Sequence, residues 1–366
     1  MKNNDTTIFT AEEEKLLRKE QKRLKRSKRS RSRRAVDRIF GFLLATLILG
    51  LCAGLGLEYV LIKGPSPALG EAFSTTMFET RRFRWIPGIF LTQEEIGEIM
   101  SKRSQRSDAV FDPALITIAT PAPALEAEGE DGTVSNPYND YDEDGDGIIL
   151  ENITGNGYVG YMIKVLDPRR VFVARGGGAY PLAEICQSNG CLGGINAGAF
   201  VDENGGGNGS IPEGLTIIDG EVQTGGFDYN QFVGLTAEGY LAVSWMTVND
   251  AINSGIVGGV TFGPILIQNN QPTDFSRNSG SLNPRTAIGQ RADGCILMLV
   301  IDGRQVHSYG ANYQDLQDIM LEYGAVNAIN LDGGSSTTMW YNGSYVNSCS
   351  SANGIARPIP NAFVFR

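Results

Sequence analysis

Four glycine-rich turns, each beside an apolar run, place polar groups where a small molecule can reach them. Gly193-Gly194-Ile195-Asn196-Ala197-Gly198 sets an asparagine among residues too small to cover it. Asn283-Pro284-Arg285-Thr286-Ala287 precedes another expected strand, and Ile296–Ile301 ends in Asp302-Gly303-Arg304. Val326–Leu331 ends in Asp332-Gly333-Gly334-Ser335-Ser336. The last turn carries most weight, because a strand-end carboxylate followed by two glycines and two hydroxyls lets backbone amides and a substrate come close. Any single Asp-Gly reads as a plain turn. The four turns taken together, two with Asp-Gly and two with an asparagine, point to one site assembled from distant loops.

Charge and composition narrow the chemistry. The chain has 366 residues and a net charge of −10, but residues 1–63 hold 15 of the 31 Lys+Arg against 7 of the 41 Asp+Glu, or +8. Residues 64–366 therefore carry −18. Such a body repels a phosphate backbone, so nucleic acid is not an expected partner. The single histidine, His307, excludes a multi-His zinc site, and its place after a strand reads as structural rather than catalytic. Trp245 and Trp340 read as core residues rather than sugar platforms. Four of the five cysteines (Cys186, Cys191, Cys295 and Cys349) fall in the outer part, where pairing is allowed. Cys186 with Cys191 is the easiest closure, Cys295 reads as a buried thiol, and no C-x-x-C occurs.

The elements that must position these groups begin with a membrane segment. Residues 1–38 form a basic tail, with twelve Lys/Arg between Lys15 and Arg34. Residues 39–62 are read as a transmembrane helix, uninterrupted by charge from Ile39 to Leu57, and about 20 apolar residues span a bilayer core. The basic flank puts the N-terminus in the cytoplasm and the rest of the chain outside the cell membrane, as a single-pass protein. The alternative is a cleaved signal peptide, with Ala68-Leu69-Gly70 as a weak cleavage site.

Residues 63–152 read as a short helical stalk and acidic linker. Thr92-Gln93-Glu94-Glu95 is a capping box, and Pro113–Ser135 reads as a linker or exposed loop. Asp140-Tyr-Asp142-Glu-Asp144-Gly145-x₅-Glu151 matches an EF-hand loop, which makes Asp140, Asp142, Asp144 and Glu151 candidate Ca²⁺ ligands. Gly147 stands where such loops hold an apolar residue, and a solvated acidic linker is the alternative reading.

Residues 153–366 alternate short β-type runs with Gly and Asn. Strands are expected at Tyr158–Leu166, Val171–Ala174, Leu215–Ile218, Gly239–Ser244, Gly259–Phe262, Ile265–Gln268, Ile296–Ile301 and Val326–Leu331. Helices are expected at Pro181–Ser188 and Tyr313–Tyr323, the latter stopped by Gly324, and a hairpin at Tyr341–Tyr345. The fold class is α+β, a β-rich mixed-sheet domain with few helices behind the single membrane helix and stalk.

From Tyr158 to Arg366 the chain resembles the phosphodiester glycosidases, the bacterial relatives of the uncovering enzyme. The resemblance rests on GGINAGAF, EGLTIIDGEV, GPILIQNN, NPRTAIGQ, VIDGRQ, GAVNAINLDGGSSTTMW and RPIPNAF, in that order. Two turns depart from the family pattern: Asn-Gly-Gly-x-Phe is Asn196-Ala197-Gly198-Ala199-Phe200 here, and Asp-Gly-Gly-Gly-Ser is Asp332-Gly333-Gly334-Ser335. Both changes replace small residues by small ones. The resemblance implies hydrolysis of a sugar-1-phosphodiester; with the expected topology, the carbohydrate partners are surface glycans, exopolysaccharides or teichoic-type polymers, and no cofactor is required, Ca²⁺ being an option only at the acidic loop.

Roles that fit this chemistry follow. Arg285 is the leading phosphate clamp, because a planar guanidinium matches phosphate oxygens bidentately, with Arg304 and Arg357 as its complement. Asp332 leads as nucleophile or water-activating base, with Asp302 or Glu213 as a second carboxylate. Asn196, Thr286, Ser335 and Ser336 are suited to hydrogen-bond sugar hydroxyls or phosphate, and Gly333 and Gly334 open the approach. Two other readings stay open: a non-catalytic glycan-binding or calcium-dependent surface module, and a phosphodiesterase cutting the phosphate–alcohol bond.

Overall fold

The computed structural model describes residues 11–79, 85–103, 109–118, 140–175, 178–201, 208–225, 229–276, 279–351 and 353–366. The chain divides into two compact units, Met1–Pro67 and Ala68–Arg366. The first contains one continuous helix, α1 (Ala11–Lys63), which carries the basic tail straight into the apolar stretch. Among the described helices, its segment Arg38–Lys63 is the one long and apolar enough to cross a membrane.

The second unit opens with α2 (Pro67–Glu79), α3 (Pro87–Phe90) and α4 (Gln93–Arg103). The capping box forms as read: Thr92 N–H donates to Glu95 Oε2 at 2.8 Å and Glu95 N–H to Thr92 Oγ1 at 3.2 Å. The stretch after it is not a free linker. Phe111 packs on the core, Asp112 N–H reaches Asn269 Oδ1 at 3.1 Å, and Thr117 N–H reaches the Ala292 carbonyl at 2.7 Å. Backbone groups that find sheet partners dock the segment, which a composition rich in Ala and Pro does not reveal. The remainder of the expected linker, residues 119–135, lies outside the described residues.

The strands begin at Ile148, earlier than the expected boundary. In order they are β1 (Ile148–Gly155), β2 (Tyr158–Val165), β3 (Val171–Ala174), then α5 (Leu182–Ser188) and β4 (Gly193–Asn196). Next come β5 (Thr216–Ile218), β6 (Glu221–Thr224), β7 (Asn230–Thr236), β8 (Leu241–Met246), α6 (Val248–Asn253), β9 (Ile256–Thr261), β10 (Ile265–Gln268) and β11 (Gln271–Pro272). The chain closes with β12 (Arg285–Arg291), β13 (Ile296–Ile301), α7 (Tyr313–Glu322), β14 (Ala325–Leu331), β15 (Met339–Tyr341), β16 (Ser344–Tyr345) and β17 (Ala362–Phe365).

Three sheets result, in the orders β1-β2-β13-β12-β14-β10-β11, β16-β15-β4-β17-β3 and β6-β5-β9-β7-β8. The expected mixed pairing is corrected. Ladders among the described strands are antiparallel, including β12 with both β13 and β14. Mostly short connections leave little chain for parallel crossovers. The domain is a mostly β-sheet body with a few helices.

One core lies between the sheets and a second under α7. Successive β13 residues feed them alternately: Ile296, Met298 and Val300 join the first, Leu297, Leu299 and Ile301 the second. Burial on both faces explains why this strand reads as an unbroken apolar run. On α7, Leu316 and Met320 meet the same second core, each contributing about 1.5–3 kcal/mol. Asn312 and Asp315 cap that helix reciprocally, and Gly324 stops it at a φ of 77°.

A buried ion cluster joins the acidic segment to the large sheet. Lys164 on β2 meets Asp140 at 2.6 Å and Glu151 at 2.5 Å, while Arg291 on β12 meets Asp140 at 2.7 Å and Asp293 at 2.6 Å. Burial works to raise the Asp140 carboxyl, but Arg291 and Lys164 outweigh it and hold that carboxyl below its usual range. The cysteine expectation is also corrected: Cys186 and Cys191 are free thiols, pushed up by burial to about 12 and about 11. Cys295 is buried, as read.

Candidate active site

Antiparallel register brings the distant turns together. Arg285, the first residue of β12, pairs with Ile301, the last of β13, and Thr286 pairs with Leu331, the last of β14. The start of β12 therefore lies beside the turns that leave β13 at Asp302 and β14 at Asp332. The Asp332 amide donates to the Ala197 carbonyl at 3.0 Å, which ties in the loop after β4. The Gly334 amide donates to the Pro284 carbonyl at 2.9 Å, and a Cβ on Gly333 would stand 2.8 Å from the same oxygen. Gly334 has a φ of 62°, so the paired glycines serve both a close approach and a left-handed turn.

The result is a cavity of about 420 Å³ lined by Asp332, Gly333, Gly334, Ser335, Ser336, Arg285, Arg304 and Arg357 among others. Arg285 Nη2 donates to the Ser281 carbonyl at 2.7 Å, Nε to the Ala311 carbonyl at 3.2 Å, and its guanidinium lies 4.2 Å above the Tyr313 ring. Arg304 Nη2 reaches Asn283 Oδ1 at 2.8 Å, from a backbone with φ 59°. That conformation costs a non-glycine residue roughly 1–2 kcal/mol, so the loop closure that holds Arg304 N–H on the Tyr309 carbonyl sustains it. Arg304 is thus both a turn residue and a wall of the cavity. Arg357 lies 4.5 Å from the Phe200 ring, with Nη1 3.3 Å from Ser335 Oγ.

Among the described lining residues there are three guanidinium groups and one carboxylate, so the cavity is locally cationic within an acidic body. That balance suits an anionic ligand, and a cavity of this size lies within the range of small-molecule sites, roughly 300–1,000 Å³.

Four expected site residues stand elsewhere. Asn196 is 1% exposed, with Nδ2 donating to the Asp332 carbonyl at 2.6 Å and Oδ1 accepting from Thr286 Oγ1 at 2.8 Å and Thr338 N–H at 3.0 Å. Asn196 and Thr286 therefore hold the Asp332 turn from behind instead of facing the cavity. Asp302 is buried outside the lining, where it accepts from Asn347 Nδ2 and Ser348 N–H at 3.1 Å and meets His307 Nε2 at 3.4 Å. Glu213 is exposed, off the cavity wall. A turn motif fixes which residues are close in the chain, not which way each side chain points.

The acidic loop also differs from its reading. Asp142, Asp144 and Asp146 bring carboxylate oxygens within 4.8 Å of one another. Asp140 and Glu151 instead turn to Lys164, and Arg291 supplies a second cation to Asp140. The expected four-residue ligand set is therefore split between two places.

The sequence reading missed Phe78, Phe262, Asn283, Tyr313 and Asn330, all on the cavity wall. Asn330 had a signal, as one of two polar residues, with Asn327, inside the β-type run ending at Leu331. Asn283 had one too, at the head of Asn-Pro-Arg-Thr. Phe78, on α2, had none.

The family model described as phosphodiester glycosidase matches residues 189–366. The mouse N-acetylglucosamine-1-phosphodiester alpha-N-acetylglucosaminidase is 28% identical over 220 residues, 53% of this chain and 42% of that protein. A Bacillus subtilis SPbeta prophage-derived uncharacterized protein, YomE, is 35% identical over 112 residues, 30% of this chain and 17% of that protein. The chain thus spans less than half the length of these curated relatives. The fold resembles that of the zebrafish N-acetylglucosamine-1-phosphodiester alpha-N-acetylglucosaminidase catalytic domain, solved auto-inhibited by its pro-peptide. The TM-score is 0.51 at 22% identity, over 60% of this chain and 82% of that one.

Proposed function

Because residues 189–366 are a phosphodiester glycosidase domain, we propose that this protein hydrolyses sugar-1-phosphodiesters in the cavity lined by Asp332. The observation that carries the reading is the meeting of one carboxylate with Arg285, Arg304 and Arg357 around a single space. The guanidiniums hold the phosphodiester, and the sugar's anomeric carbon lies toward Asp332. The bond between that carbon and the phosphate oxygen breaks, and the phosphomonoester leaves as an anion already matched by positive charge. A leaving group of this kind needs less protonation than an alcohol, so one carboxylate in the cavity suffices. Whether Asp332 adds to the anomeric carbon or deprotonates water, the water oxygen ends on that carbon. No cofactor enters the proposed step.

Product labelling tests it. In ¹⁸O-water the heavy oxygen is expected in the released sugar, beside an unlabelled phosphomonoester. Label in the phosphate, with a sugar phosphate among the products, would reject glycosidic cleavage in favour of phosphodiesterase action.

The proposed setting is the cell surface, with residues 39–62 as one membrane span, residues 1–38 cytoplasmic and the domain outside, acting on surface glycans, exopolysaccharides or teichoic-type polymers. The basic flank of α1 supports that orientation. Deleting residues 1–63 is expected to move the protein from the membrane fraction to the soluble one. Retention in the membrane pellet would overturn the topology.

A further inference from the structure

One wall of the cavity comes from outside the family-matched residues. Phe78 lies on α2, where Gly70, Ser74 and Phe78 recur every four residues and so share a face. Gly70 is buried and Ser74 is 0% exposed, as is nearly true of Thr75 at 1%. Small buried residues let the helix backbone seat closely, and that seating sets Phe78 in the wall. Its ring stays half-buried.

Four aromatic side chains line the cavity among the described residues, and three are already engaged. Tyr313 carries the Arg285 guanidinium, Phe200 carries that of Arg357, and Phe262 packs on the main core. Phe78 has no ring contact among the described residues. A partly bare aromatic face beside cationic and amide groups fits a ligand that is apolar on one side and polar at its edges. A pyranose ring has that character, with a C–H face and equatorial hydroxyls. A second observation points the same way. Asn330 is 1% exposed and its Nδ2 donates to the Gly263 carbonyl at 2.7 Å, but its buried Oδ1 has no partner. That oxygen is closed off in the wall, so a ligand hydroxyl would complete it only with a small turn of the Asn330 amide.

We propose that Phe78 is the sugar platform of the site, stacking on the apolar face of the pyranose while the three arginines hold the phosphate. The inference rests on the glycosidase reading and extends it: the site is completed by a helix that precedes the family domain. The cavity keeps about 420 Å³ with α2 seated, so the helix walls the site without filling it.

Steady-state kinetics of the full-length protein in detergent test this with a hexose-1-phosphodiester. Phe78→Ala is expected to raise KM about tenfold with kcat within threefold, the pattern of a contact made equally in ground and transition states. Phe78→Trp should keep KM near the parent value. Inhibition by inorganic phosphate, which meets only the arginines, should not change. An unchanged KM in Phe78→Ala would overturn the platform, and a rise in kcat/KM would make α2 a plug instead. Should the parent protein hydrolyse nothing, the glycosidase reading falls, and calorimetric titration with a hexose 1-phosphate then judges the platform separately. Tighter binding to the parent than to Phe78→Ala supports it, and equal binding rejects it.

Discussion

Asp332→Asn is expected to lower kcat by at least about a thousandfold, roughly 4 kcal/mol of transition-state stabilisation, while the melting temperature stays within a few degrees of the parent. The reason lies in how little of the fold depends on the charge. The Asp332 turn is held by main-chain bonds, its amide on the Ala197 carbonyl and its carbonyl on Asn196 Nδ2. Its Oδ1 accepts from the Gly333 amide at 3.1 Å, a bond that an asparagine oxygen can keep. Chemistry at an anomeric carbon needs the negative charge, and the amide supplies none. Asn196→Ala makes the contrast. It leaves the Asp332 carbonyl, the Thr338 amide and the Thr286 hydroxyl without their partner, at about 1–3 kcal/mol for each buried group left unsatisfied. That variant should lose stability along with activity. Hydrolysis rates and thermal melts on the two variants separate the group that reacts from the group that supports it. Retained activity in Asp332→Asn would remove Asp332 from the chemistry.

Those two residues also mark where sequence reading works. The turn after β14 was legible as a site because a carboxylate followed by small residues at a strand end has a chemical use. The role of Asn196 was not, because its direction depends on a strand pairing between β4 and β15 that no local pattern states. The same division runs through the fold. β13 and β10 read directly as strands, since both faces are buried and every residue is apolar or nearly so. β12 was legible only as an unbounded strand after the Asn-Pro-Arg-Thr turn, although it is buried throughout, because its polar residues answer tertiary needs. Arg285 opens into the cavity, Gln290 caps the Leu241 amide at 2.7 Å, and Arg291 joins the ion cluster. β4 read as a turn because of its glycines. A Cβ on Gly194 would come within 2.4 Å of the Phe363 carbonyl, so the glycine marks close strand packing rather than a bend.

The ion cluster yields the second large effect. Arg291→Met is expected to cost about 3–5 kcal/mol, the usual loss when one partner of a buried ion pair is removed. At roughly 2–4 °C per kcal/mol for a domain of this size class, the melting temperature should fall by roughly 6–20 °C. Arg291 is 2% exposed, and its loss removes the cation that Asp140 and Asp293 share, while Lys164 stays shared between Asp140 and Glu151. The pH dependence identifies the cause. In the parent, Arg291 and Lys164 hold the Asp140 carboxyl below its ordinary value of 3.8, so its stabilisation is present above that pH and is lost as pH falls through the lowered native value. In the variant, burial acts on Asp140 with one cation fewer, which pushes its carboxyl up and makes the ionised form costly at neutral pH. The gap in melting temperature should therefore be widest near pH 7 and close only as pH falls through the lowered native value of the parent's Asp140, below which the carboxyl is protonated in both proteins. A gap that stays constant across this range would assign the loss to packing around the Arg291 stem, and the Asp140 charge would then have no part in anchoring the acidic segment to the sheet.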